Sequence, residues 1–535
     1  MKNSYEPYWP ENVIFWGSGA TAPLGMQTTF KIGETLFCLS KDHEMSLDER
    51  LNRVFPTVND TIKKQFGALL ALLSNREDSE RQKAADLLGF SAARVSEIRN
   101  LYDWDTLKLV IKRCPQENGQ LQLQDVYNLL DMHIQSGNGF YGMDQTFIRP
   151  EKLIMARRTL DMLVITFHKI GYQQLLSDAE KKKVYSQYYE FAKILTEFMI
   201  EEGLMKEKEF LYSDRNFYLF SYAVVSMNWD PLLLWLIFNA HKEMNESEMK
   251  PYIGIPPQPM RLFNDFAHFM AVRKIESDTP GPWFPMNETA VQRLNDPDHN
   301  SRRVRIGKFY FPHGSHGFRQ CPNCGKLTFY LGNQWKVDSD DLFPPLLLPS
   351  LSPRKPRSVE EQRALEEGKY DAVQCTHCGS ITELHHTSIV MQTNFKNGYP
   401  PFIEEIQRDM KVAIEKAEHL IFAGYSLPSD DFIYRSIFTA KRNIKERGTK
   451  CSIIGYLGEE GKDEWFEGDA LEEFMRQHPD TSFTNTCQRI IDIFGKENVR
   501  GYSAGFPQVF IKNGRASRRK IKEMLWWSSN SEYSS

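Results

Sequence analysis

The chain has 535 residues, of which 41% are hydrophobic and 25% charged, with a formal net charge of −4. Such a composition is that of an ordinary globular protein and excludes collagenous, low-complexity and globally basic nucleic-acid-binding chains. At about 150 residues per domain the length calls for about three modules, and no uncharged apolar run reaches the roughly 18 residues needed to span a bilayer.

The amino terminus lacks an apolar core followed by a small-residue cleavage site, so a cytoplasmic location is expected. The first element is a strand over 13–16 that runs into Gly17-Ser18-Gly19-Ala20-Thr21, with Gly25 beyond. A buried strand entering G-x-G-x-T is how a dinucleotide site opens. Gly17 permits a tight turn, Gly19 lets the backbone approach a pyrophosphate, and amides at the next helix start face the anion, with Thr21 adding a hydroxyl. The full G-x-G-x-x-G pattern is absent, so a plain glycine-rich turn is the alternative. Helical spacing then dominates at 62–73, 82–88, 92–101, 123–134 and 182–199, and residues 41–212 read as a helical insertion. Strand-like runs resume at 217–227, 308–312, 387–392, 419–424 and 451–456.

The expected fold is therefore α/β, with a Rossmann-like parallel sheet built discontinuously from 1–40, 213–317 and 385–512. It carries the large α-helical insertion at 41–212, a small zinc-ribbon insertion at 318–384, and a basic then serine-rich tail at 513–535.

Four further segments carry chemistry. Asn228 and Asp230 follow the strand-like run at 217–227, at the carboxyl end where α/β folds place ligands; Asp230 before Pro231 is equally a helix cap. His313, closing a strand before Gly314 and Ser315, is placed for acid–base work, with His316 as its competitor. Cys321-Pro322-Asn323-Cys324-Gly325 and Cys375-Thr376-His377-Cys378-Gly379 form two C-x-x-C-G knuckles. Two such pairs complete a tetrahedral, all-thiolate Zn2+ site with no open position, hence a structural one; iron–sulfur ligation or a redox dithiol are the alternatives. Finally, the strand at 419–424 breaks at Gly424 into Tyr425, Ser426 and on to Asp431, a turn suited to a ribose or adenine pocket and equally a strand–turn–helix junction. The basic clusters Arg302-Arg303-Arg305 and Arg515-Arg518-Arg519-Lys520 are local candidates for nucleic-acid contact, otherwise solvated surface.

In order, the Gly17–Thr21 segment, Asn228-Trp229-Asp230, His313-Gly314-Ser315, the two cysteine pairs and Gly424-Tyr425-Ser426-Leu427-Pro428 with Asp431 resemble the sirtuin family. They resemble more closely its divergent bacterial, anti-phage branch. The likeness covers roughly 10–40 and 215–510 and leaves the helical insertion unmatched. It implies NAD bound across the sheet with the glycine loop on the phosphates, Asn228 and Asp230 around the nicotinamide ribose, His313 rather than His316 as general base, and a zinc ribbon beside the cleft. Sirtuin deacylases carry a Pro-Phe-Arg stretch soon after the glycine loop. Here Pro23 is followed by Leu24-Gly25-Met26-Gln27-Thr28-Thr29-Phe30, with no arginine before Lys31, and the helical insertion falls where a peptide groove would be shaped. The expectation is thus an NAD+ glycohydrolase releasing nicotinamide and ADP-ribose, a regulated anti-phage effector that forms a homo-oligomer and answers to a partner ATPase or a phage-derived activator. The rivals are an NAD-dependent deacylase or ADP-ribosyltransferase, and a non-catalytic nucleotide- or nucleic-acid-binding scaffold.

Overall fold

The computed structural model describes residues 10–206 apart from 43, 75–76, 91 and 118; residues 220–246; 303–329 apart from 322 and 326; 401–442 apart from 429–430; and 448–527. It also describes residue 359 and short strands at 260–265, 270–272, 284–286, 373–374, 381–382 and 386–389.

Among the described residues, eight strands make the central sheet: β1 (Asn12–Trp16), β2 (Phe220–Ser226), β3 (Met260–Asp265), β4 (Arg303–Tyr310), β5 (His419–Ala423), β6 (Lys450–Ile454), β7 (Trp465–Glu467) and β8 (Val499–Tyr502). Their order is β7-β8-β6-β5-β1-β2-β4-β3. Every neighbouring pair is parallel except the edge pair β7–β8. Strands covered on both faces should read as continuous apolar runs, and β1 and β5 are buried at every position. Alternate side chains of β1 serve the two faces. Phe15 meets Phe438 of helix Phe432–Arg442 edge-on at 5.2 Å, while Trp16 meets Tyr188 and Phe191 of helix Ala179–Lys206. The α/β expectation thus holds as a mostly parallel sheet with helices on both faces, compatible with a Rossmann-like arrangement.

Register sets where chemistry is placed. Trp16 lies opposite both Ala423 and Ser226, and Ala423 opposite Ile454. The carboxyl ends of β1, β2, β5 and β6 therefore finish level along one edge. From β1 the chain proceeds outward through β2 on one side and later through β5 on the other, so the strand order reverses between β1 and β5. Open α/β sheets bind ligands at such a reversal.

A second hydrophobic core lies among the helices, from Ile32 and Leu36 of helix Thr29–Leu39 to Phe167 and Ile170 of helix Pro150–Ser177. Local signals start these helices: Ser46 and Glu49 form a capping box ahead of helix Leu47–Val54, and Pro150 opens the long helix from the first turn, where its missing N–H costs nothing. The helical core begins inside the stretch assigned to the sheet domain, and Tyr172, Leu175 and helix Ala179–Lys206 pack against the sheet instead. One residue crosses the other way: Trp229, just after β2, buries its indole in the helical core.

The segment expected as a tail is packed through Trp527. Ile521, Met524 and Leu525 of helix Arg518–Leu525 enter the sheet core, and two of the basic side chains are held in ion pairs. Arg518 joins Glu197 and Glu201, and Lys520 joins Asp463. Among the described residues no helix is long and apolar enough to cross a membrane.

Candidate functional site

The glycine turn after β1 and the turn after β5 lie against each other. Gly17 N donates to Ala423 O at 2.9 Å and Gly19 N to Gly424 O at 3.0 Å. A Cβ on Gly17 would come within 2.4 Å of Gly424 O, and one on Gly424, whose φ is +61°, within 2.2 Å of Ala20 N. The first requirement for glycine is therefore this crossing of two backbones. Ser18 and Gly19 stay at the surface, Ala20 and Thr21 are buried, and Ala20 O accepts from Tyr188 Oη at 2.6 Å.

Thr21 is the meeting point of the first group of side chains. Its Oγ1 accepts from Asn228 Nδ2 at 3.1 Å and lies 3.4 Å from Asp230 Oδ2, to which it donates. The other carboxylate oxygen of Asp230 accepts from Leu232 N at 3.1 Å, at the start of helix Leu232–Glu246. Asp230 thus holds the start of that helix and at the same time faces Thr21 of the glycine turn. Asn228 and Asp230 are 7% and 5% exposed. Burial pushes the Asp230 carboxyl up to about 6, against the pull of the Leu232 and Thr21 hydrogen bonds.

The second group forms around Asp431. Tyr425 Oη donates to Asp431 Oδ2 at 2.5 Å, and His313 Nε2 lies 3.7 Å from Asp431 Oδ1, within ion-pair range. The His313 ring lies beside Tyr434 at 5.6 Å. Asp431 and His313 are 1% and 3% exposed. Between Tyr425 and Asp431 the backbone is strained: Leu427 is fully buried with φ +46°, a conformation a leucine holds only when its surroundings force it. Ser426, expected to line the site, is exposed, and its carbonyl is held by Arg489 at 3.0 Å.

Main chain joins the two groups. Trp229 O accepts from Ser315 Oγ at 3.0 Å and from His316 N at 2.8 Å, which fixes the turn after His313 against the Asn228–Asp230 loop. His316 is engaged inward, its Nε2 2.7 Å from His168 Nδ1 of the helical module. Sequence reasoning found neither His168 nor the grip on Trp229. A histidine inside a helix carries no signal of its partner, although Trp229 between two polar residues hinted at an anchor.

Of the four cysteines, Cys321 is buried and Cys324 exposed, and their turn is closed by Gly325 N donating to Cys321 O at 2.8 Å, with Gly325 at φ +70°. Strand Gly314–Gln320 leads from the His313 turn directly into it. Cys375 and Cys378 lie outside the described residues, but the strands on either side pair, Val373 with Thr382 and Gln374 with Ile381. The Cys321–Gly325 turn follows strand Gly314–Gln320, which pairs antiparallel with Leu327–Phe329.

Two cavities, of about 310 and 340 Å3, lie within the helical module. The first is bordered by Lys31, Lys41 and Arg53, the second by Asp42, Arg50 and Trp104, and no residue of the two groups above lines either. No protein-family model matches the chain, and no curated protein matches it.

Proposed function

We propose that the chain is an NAD+ glycohydrolase with a sirtuin-type NAD site, cleaving the nicotinamide–ribose bond with water to give nicotinamide and ADP-ribose. What carries the proposal is the gathering of Thr21, Asn228, Asp230, His313 and Asp431 at the level carboxyl edge of the sheet, on either side of its strand-order reversal. The surface residues Ser18 and Gly19 are the part of the turn open to a pyrophosphate, with the Gly19 amide already given to Gly424 O.

Departure of nicotinamide leaves positive charge on the ribose, so the site must supply negative potential where that charge grows. Asp230 suits that need: it is buried, accepts from a hydroxyl and backbone amides, and pairs with no cation among the described residues. Asn228, with both a donor and an acceptor, orients the ribose or the incoming water. As water attacks the anomeric carbon, His313 takes its proton, and Asp431, held by Tyr425, stabilises the imidazolium that forms. Zn2+ held by Cys321, Cys324, Cys375 and Cys378 would supply rigidity to the ribbon that continues from the His313 turn.

The sequence resemblance supports the biological setting: a regulated anti-phage effector, assembled as a homo-oligomer and released by a partner ATPase or phage-derived activator, with the helical module as its restraint. The test is incubation of the full-length protein with NAD+, with and without lysate of phage-infected cells, and identification of products by mass spectrometry. Equimolar nicotinamide and ADP-ribose, lost in Asn228→Ala, are expected. Turnover that requires an acyl-lysine peptide and yields O-acyl-ADP-ribose would overturn the proposal in favour of a deacylase.

A further inference from the structure

The supports of the candidate site extend into the helical module. Helix Pro150–Ser177 runs through the helical core and ends against the sheet. Its His168, 4% exposed, lies with Nδ1 2.7 Å from His316 Nε2 and Nε2 3.1 Å from the carbonyl oxygen of Gln27. A carbonyl only accepts, so His168 Nε2 carries the hydrogen. Burial favours the neutral ring, bringing its titration down to about 4, so Nδ1 accepts and His316 Nε2 is the donor. Three residues further on, Gly171 touches Gly25 so closely that a Cβ would lie 2.2 Å from Gly25 O. One helix therefore grips the exit of the glycine turn twice, at Gly25 and Gln27, and grips the turn after His313 through His316. His316 N in turn holds Trp229 O, between Asn228 and Asp230.

We propose that His168 is a positioning residue for the candidate site: its bonds to His316 and Gln27 set the spacing between the glycine turn and the loops that carry Asn228, Asp230 and His313. Two segments distant in sequence, the exit of the glycine turn and the turn after His313, converge on one imidazole, and each follows residues of the site. The consequence for turnover rests on the glycohydrolase reading; the consequence for the loops does not.

The experiment is amide hydrogen exchange on the full-length protein, followed by NAD+ kinetics, for the natural chain, His168→Ala, His168→Asn and His168→Gln. Met227 N is bonded to Trp16 O and His316 N to Trp229 O, so their exchange reports opening of the two loops. In His168→Ala these amides should exchange about tenfold faster, with those of β5 and β6 unchanged. His168→Asn, whose side-chain oxygen can replace Nδ1 as acceptor, should restore protection at His316. His168→Gln, whose amide can replace Nε2 as donor to Gln27, should restore it around Gly25–Gln27 instead. In nicotinamide release, kcat should fall about tenfold in His168→Ala while KM stays within about threefold. Loop protection identical to the natural chain, or protection lost evenly across the helical module, overturns the proposal. If the natural chain releases no nicotinamide either with or without lysate of phage-infected cells, the glycohydrolase reading fails and the exchange pattern still decides the role of His168. If His168→Ala does not fold, the opposite recoveries in the Asn and Gln variants decide it, and identical behaviour of the two overturns it.

Discussion

In the helical module, charge is answered by charge. Arg50 lies 2.7 Å from Asp42, which also pairs with Lys108, and Arg157 bridges Asp131 and Asp161 with its guanidinium 4.4 Å over Tyr127. At the carboxyl edge of the sheet, Asp230 instead meets, among the described residues, a hydroxyl and backbone amides but no cation, and burial holds its carboxyl up to about 6. A network closed on itself holds helices together and has nothing left to offer. A buried carboxylate without a cation lowers stability at neutral pH and keeps its potential for a positive charge arising beside it.

That contrast is open to attack in order of size. The largest effect lies outside both regions: Cys321→Ser should yield insoluble or metal-poor protein, because a structural zinc contributes about 10 kcal/mol or more of folding energy. Metal analysis of the natural chain should find one zinc per chain, and a folded, metal-free natural chain would remove the ribbon. Next, Asn228→Ala and His313→Ala should each slow nicotinamide release by about 10²–10⁴-fold, with melting temperatures close to that of the natural chain. Loss in His316→Ala with turnover retained in His313→Ala would mean the wrong histidine has been assigned.

Arg157→Met should behave in the reverse way. It strands Asp131 and Asp161 and should lower stability by about 2–4 kcal/mol in denaturant titration, while the folded protein keeps its nicotinamide release. The smallest effect is the most diagnostic. The folded pKa of Asp230 is raised from 3.8 to about 6, so its contribution to stability is complete below the unfolded value and lost as pH rises through about 6. Asp230→Asn escapes that loss and should be more stable than the natural chain by about 1–3 kcal/mol at pH 8, the difference closing near pH 4. Nicotinamide release should be nearly abolished in the same variant. A destabilised Asp230→Asn at pH 8 would make the carboxylate a structural cap alone.

Much of the sheet was legible because buried parallel strands declare themselves as apolar runs. β1 and β5 ending in Gly17 and Gly424 gave both the strand and the turn. β8 was hidden by Arg500, a charged residue inside a strand, which is tolerated because Ser452 accepts from it at 2.7 Å and the rings of Trp465 and Trp527 flank it. Helix Thr29–Leu39 was not separated from the sheet domain, since its apolar face serves a core assembled from residues over a hundred positions away. The packing of Arg518–Leu525 was likewise hidden under its basic residues, of which Arg518 is matched by acids on helix Ala179–Lys206 and Lys520 by Asp463 in the loop before β7. For the candidate site, residue types and order could be read, while the long-range partners could not: nothing in the sequence joins Asn228 to Thr21 or His168 to His316.

The most direct measurement is a structure of the full-length protein with NAD+ or ADP-ribose bound. The account predicts the pyrophosphate over Ser18 to Thr21 and the nicotinamide-side ribose between Asn228 and His313. A nucleotide seated instead in a cavity of the helical module, with Asn228 and His313 untouched, would contradict it.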